Sequence, residues 1–160
     1  SVLDEIYPLY LATHQNAKEY VRPPIPKQFF AEIGKRLSDK TSLLVTKDRA
    51  GRIVGFMLTG FNGEISNPFL IGFDYQCAHR YSLYYNLMYH ELVTTLARGC
   101  DRVDMGLTNY FIKQGLGASL RPLHMACCFR NEVLHRLLGN VLPILLTERQ
   151  PDVRRQYKTD

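Results

Sequence analysis

SLLVTKDRAGRIVGFMLTGFNGEISNPFLIGFDY, residues 42–75, is an apolar stretch broken twice by turn residues. Ser42-Leu43-Leu44-Val45-Thr46 reads as a strand. Asp48-Arg49-Ala50-Gly51 is a turn with glycine where positive φ is useful. Ile53 to Phe61 is a second strand carrying Val54, Phe56 and Leu58. Asn62-Gly63 is another hairpin signal. Phe69 to Tyr75 is a third strand, apolar enough to be central. The three strands form an antiparallel meander.

The pattern changes on both sides of the meander. Upstream, Leu3, Ile6, Tyr7, Tyr10, Leu11 and Ala17 share one face of a helix over 3–20. Pro8 is tolerated if the helix begins near it, and otherwise it kinks the helix. Arg22-Pro23-Pro24-Ile25-Pro26 is an extended linker, since proline disfavours helix in the residue before it. A second helix places Phe29, Phe30, Ile33 and Leu37 on one side and ends near Ser38-Asp39. Downstream, a long helix runs from Tyr81 or Ser82 to Arg98, with Ser82 as N-cap and Gly99 at C′. Arg102-Val103-Asp104-Met105-Gly106 is then a short strand, reached through that helix by a parallel crossover. A short helix spans Asn109 to Gln114 and ends at Gly115 and Gly117. Leu120 to Phe129 is a last strand, and Asn131 to about Leu138 starts a closing helix. Residues 1–147 form one domain, and 148–160 a polar tail.

Length and composition agree with one folded core. The chain has 160 residues, 46% of them hydrophobic and 22% charged, in the range of ordinary globular domains. No apolar run approaches the roughly 18 residues that cross a bilayer, so no membrane partner is expected. Net charge is +5, but much of the excess sits in Arg149, Arg154, Arg155 and Lys158, which read as a solvated tail. No basic run is interleaved with stacking aromatics, so nucleic-acid binding gets little support. Cys77, Cys100, Cys127 and Cys128 form no C-x-x-C pair, and His14, His124 and His135 show no ligand spacing, so no metal is expected. Cysteines in apolar runs behave as small core residues; the expected setting is reduced and cytoplasmic. The chain does not begin with Met, which reads as a processed or excised piece of something longer.

The order of elements resembles the GNAT fold. Gly72-Phe73-Asp74, the helix end Arg98-Gly99, Asp104-Met105-Gly106, and Asn109-Tyr110-Phe111-Ile112-Lys113 followed by Gly117-Ala118 are similar to its FemAB-like, peptidoglycan-type branch. The resemblance covers most of residues 3–130. It implies an α/β (α+β) fold: a mixed sheet, antiparallel meander first and parallel crossover after, with helices on both faces. It also implies an N-acyltransferase using acetyl-CoA or another acyl-CoA. The acceptor would be a small-molecule amine, an amino sugar or a peptide. FemAB-like relatives take aminoacyl-tRNA as donor, so tRNA is an alternative partner. A degenerate module that binds a metabolite or scaffolds another domain is a third reading. Two departures stand out. No strand precedes Leu3, and the loop Gln76-Cys77-Ala78-His79-Arg80-Tyr81-Ser82 lacks the glycines of the usual pyrophosphate signature.

The chemistry of acyl transfer to an amine selects residues around that loop. The amine must lose a proton, the oxyanion needs donors, and the leaving thiolate must gain a proton. Asp74 and His79 stand where a base is needed, Asp74 alternatively as a cap of the loop and His79 as a surface group. Tyr110 is positioned as the acid, or as a packing aromatic. A helix start from Arg80 to Tyr84 would receive a pyrophosphate. Tyr75, Arg80, Tyr81, Ser82 and Lys113 are therefore the expected cofactor-binding residues. Tyr85 and Tyr89, four apart, are expected to pack against the sheet, and His90 and Glu91 to be structural. Cys77 has no adjacent base and is not expected to be a nucleophile.

Overall fold

The computed structural model of the chain describes residues 1–17, 23–107, 110–124, 126 and 128–146. It divides into two compact units, Ser1–Thr108 and Asn109–Asp160.

The first unit is built on the meander: β1 (Thr41–Lys47), β2 (Ile53–Asn62) and β3 (Ile65–Phe73), all antiparallel. Gly51 and Gly63 turn the two hairpins at φ +85° and +58°, a conformation glycine adopts at no steric cost. β3 begins four residues earlier than its apolar run suggests. Leu58 pairs with Leu70 but Thr59 pairs with Pro68, so Phe69 is an extra residue. Proline has no N–H for the ladder, and a bulge is one of the few places a strand accommodates it.

α1 (Val2–Asn16) and α2 (Lys27–Arg36) cover one face of the sheet. Ile6 and Tyr10 of α1, with Phe30 and Ile33 of α2, pack with Phe56, Leu58 and Leu70 into one apolar cluster. α1 ends before Ala17, short of the expected 3–20; residues 18–22 lie outside the described set. Pro8 sits inside it. Phe29 and Leu37 are exposed rather than aligned with Phe30 and Ile33. Tyr10 Oη accepts the Ile25 N–H at 2.8 Å, tying the proline-rich linker back onto α1.

The opposite face is covered by α4 (Leu83–Ala97), preceded by the four-residue α3 (Tyr75–Ala78). Leu83, Leu87 and Met88 are buried, and Leu87 lies against Gly55 of β2. Gly99, at φ +76°, closes α4 with bonds from Gly99 N to Leu96 O and from Cys100 N to Thr95 O, the Schellman arrangement. Tyr85 and Tyr89 do not pack on the sheet. Both are exposed, because the sheet-facing stripe runs through Leu83, Leu87, Glu91 and Thr95 instead.

β4 (Arg102–Val103) then pairs in parallel with β3, at Ile65 and Ser66 only, where five strand residues were expected. The crossover is therefore present, and the sheet order is β1-β2-β3-β4. Asp104 turns the chain out of the ladder: its carboxylate accepts the N–H of Gly106, whose φ is +66°.

In the second unit α5 (Tyr110–Gly115) is followed two residues on by Gly117, with φ +91°. The expected strand over 120–129 is absent among the described residues of that segment. Pro122 interrupts it and removes a donor. α6 (Glu132–Leu146) starts at Asn131, whose side chain accepts the N–H groups of Val133 and Leu134, and it runs past the expected end near Leu138. Cys128 is exposed, not a core residue; Cys127 and residues 148–160 lie outside the described set.

Candidate functional site

β3 leaves its ladder with β2 at Phe73, opposite Gly55. Asp74 then converts strand to helix. Its N–H still bonds to Val54 O at 2.9 Å, its carboxylate accepts the Gln76 N–H at 3.0 Å, and its carbonyl takes the N–H groups of Cys77 and Ala78. Asp74 is thus the N-cap of α3, and Tyr75, expected to end the strand, is the first residue of that helix, with its ring 4.9 Å from that of Phe73. Arg52 reaches over from the β1–β2 turn, 3.4 Å from Asp74 and 3.2 Å from Asp48.

Beyond α3 the chain turns tightly into α4. Tyr81 N–H donates to Cys77 O and Ser82 N–H to His79 O. The Asn86 side chain donates to Tyr81 O at 2.7 Å. Ser82 is the N-cap residue of α4 by position, yet its side chain caps nothing and its backbone is left-handed, at φ +48°. Arg80 lies 5.5 Å over the Tyr81 ring. His79, Arg80, Tyr81 and Ser82 are all exposed. Six of the eight expected site residues (Asp74, Tyr75, His79, Arg80, Tyr81 and Ser82) therefore lie in one continuous turn between β3 and α4.

The absence of glycine in this turn has a structural counterpart. The amides of Gln76, Cys77, Ala78, Tyr81 and Ser82 are all taken by acceptors inside the turn. No open cradle of loop amides is left by them. Anion-binding capacity falls instead to Arg80 and to the first turn of α4, where Leu83, Tyr84 and Tyr85 have no carbonyl four residues back within the helix. Burial, then the negative charge of Asp74, push the Cys77 thiol above its ordinary range. It remains a thiol at neutral pH, not a nucleophile.

Tyr110 and Lys113 belong to the second unit. Tyr110 is half-buried at the start of α5, and Lys113 is buried rather than solvated. Within the first unit, the short β3–β4 ladder has a consequence. Asn67 to Phe73 continue β3 for seven residues past its last pairing with β4. Phe73 N–H is met there by Thr13 Oγ1 of α1 at 3.4 Å.

A cavity of about 440 Å³ lies elsewhere, between the end of α2 and the β2–β3 hairpin, lined in part by Leu37, Phe61, Ile65 and Phe69. Phe69, its lining residue nearest Asp74 on β3, is five residues away, roughly 17 Å along the strand. Among the described residues no group of three or more His, Cys, Asp or Glu could hold a metal ion. No described helix is long and apolar enough to cross a membrane.

Several solved structures share this fold. An acetyltransferase from Trypanosoma brucei superposes with a TM-score of 0.58 at 14% identity, covering 79% of this chain and 92% of its own. Glucosamine-6-phosphate N-acetyltransferase from Arabidopsis thaliana gives 0.57 at 13% identity, covering 79% and 93%. The ribosomal-protein-S18-alanine N-acetyltransferase of Escherichia coli gives 0.55 at 18% identity, covering 72% and 70%. At these identities the likeness is one of fold. No curated protein matches the sequence. The model of the acetyltransferase (GNAT) domain family matches residues 1–114. The chain belongs to the GNAT acetyltransferase family, whose reaction is acetyl transfer from acetyl-CoA.

Proposed function

We propose that this chain is an N-acyltransferase whose donor, an acyl-CoA, lies along the outer edge of β3 with its phosphates at the start of α4. The observation that carries the reading is the short ladder between β3 and β4. A strand edge that loses its partner after two residues offers backbone donors and acceptors to an extended, amide-containing chain. The pantetheine arm of CoA is such a chain. The first turn of α4 and Arg80 supply the positive end that a pyrophosphate requires.

The acceptor is an amine: a small molecule, an amino sugar or a peptide. Its nitrogen attacks the thioester carbon, the C–S bond breaks, one proton leaves the amine and one joins the thiolate. Asp74 or His79 is proposed to take the first proton. The FemAB-like reading, with aminoacyl-tRNA as donor, rests on the motifs from Gly72-Phe73-Asp74 onward and keeps the same turn.

Thermal unfolding with acetyl-CoA tests the proposal. A ligand at a hundred times its Kd stabilises the native state by about 2.7 kcal/mol, so the melting temperature should rise with dose. Arg80→Ala should weaken that response at least several-fold. No shift at millimolar acetyl-CoA overturns the acyl-CoA reading. Salt-sensitive tRNA binding in its place would assign the donor as aminoacyl-tRNA.

A further inference from the structure

Glu91 lies in the middle of α4, is 1% exposed, and faces the sheet. No ion pair reaches it among the described residues. Its neighbours are hydroxyls. Thr95 donates to Glu91 Oε1 at 3.2 Å, and Ser66 Oγ of β3 lies 2.8 Å from Thr95 Oγ1. Thr59 of β2 adjoins the carboxyl, yet its buried Oγ1 has no hydrogen bond of regular geometry.

Among the described residues packed around it, no charged group pairs with the carboxyl. On the α4 side of the sheet β2 presents Met57 and Thr59, and β1 places Ser42, Leu44 and Thr46 opposite Thr59, Met57 and Gly55. None of these titrates. Arg98, past the last turn of α4, stacks over Phe61 at 4.2 Å and acts on Glu91 only through space. Cys100 donates its thiol hydrogen to Gly63 O, and Arg102 of β4 is paired with Asp101 and Glu64. Tyr75 and Cys77 of α3 lie beyond the N-terminal end of α4, at least about 12 Å along the helix axis.

An unpaired carboxylate is costly in such a site, whereas a neutral acid suits it. The hydroxyls of Thr59 and Thr95 can donate to the carboxyl but bring no opposite charge.

We propose that Glu91 is an internal acid latch, which holds α4 to β2 and β3 as the neutral carboxylic acid and loosens that helix when it ionises. Burial raises the carboxyl above its ordinary value of 4.5, against the weaker opposing effects of Thr59, Thr95 and Arg98. The folded chain thus keeps a proton that the unfolded chain releases. The latch contributes its full stability below pH 4.5 and loses it as pH rises through the folded value. α4 joins the Asp74–Ser82 turn to β4, so the latch governs how firmly both are held.

Glu91→Gln, the neutral isostere, is the test, with urea unfolding and hydrogen exchange of α4 amides followed from about pH 5 to about pH 9. Across the titration the unfolding constant of the unsubstituted chain should climb up to tenfold per pH unit relative to the variant. Its α4 amides should lose protection in parallel. In infrared difference spectra at the acid end of that range, the unsubstituted chain should show a carboxylic-acid carbonyl band that the variant lacks. Parallel pH profiles, or carboxylate bands alone, overturn the proposal. So does failure of the variant to fold, since a neutral amide replaces a neutral acid without new charge.

Discussion

Replacing Gly72 by alanine should be among the most damaging single-methyl additions to the sheet. A Cβ at this position would lie 2.4 Å from Phe56 Cε1, 2.7 Å from the Leu9 carbonyl carbon and 2.8 Å from the Tyr10 nitrogen. The last two atoms are backbone, so no rotamer change relieves them. Restoring ordinary contact requires α1 to retreat by about 0.7 Å, and a gap of that size forfeits a quarter to a half of the dispersion contact across it. α1 holds Ile6 and Tyr10 in the main cluster, so the loss is felt there. Overpacking of this kind costs about 3 kcal/mol, roughly a hundredfold in the unfolding constant. With a urea m-value near 2 kcal/mol/M, the midpoint should fall by about 1.5 M. Gly34→Ala is the control. A Cβ there meets nothing within 4 Å in the last turn of α2, and helix propensity predicts a gain of about 0.5–1 kcal/mol. A Gly72→Ala midpoint within experimental error of the parent would refute the close approach of α1 to β3.

Other substitutions separate roles at the turn. Asp74→Asn keeps an N-cap acceptor, whereas Asp74→Ala removes it and should cost about 1 kcal/mol by urea unfolding. If Asp74 is the base, the Asn variant should be stable yet lose at least a hundredfold in kcat; retained activity in both variants would leave it a cap alone. Ser82→Gly should raise stability by up to about 1 kcal/mol by relieving the left-handed backbone, and a loss would mean that the serine hydroxyl matters more than its φ.

The meander was legible because its turns carry glycine where the backbone needs positive φ, at Gly51 and Gly63, and because β2 is apolar over nearly its whole length. The parallel crossover was legible from Gly99, which ends α4 with the sign that glycine alone carries easily. The bulge at Pro68–Phe69 was not: a proline reads as the end of a strand until a partner strand is seen to tolerate it. α3 was hidden because four residues are too few for a helical period, and only the Asp74 cap could have revealed it. The tyrosine spacing misled for a related reason. Tyr85 and Tyr89 are four apart, but so are Leu87 and Glu91, and spacing alone does not say which stripe meets the sheet. The candidate turn was legible as a contiguous stretch from Asp74 to Ser82. That five of its amides are already taken was not, since that follows from hydrogen bonds closed within the turn.

The most direct test of the donor site is an amide NMR titration of the whole chain with acetyl-CoA. Shifts should concentrate at the outer edge of β3, between Asn67 and Phe73, and from Arg80 through Tyr85. Shifts confined to the cavity beside Leu37 and Phe61, or none at millimolar ligand, would contradict it.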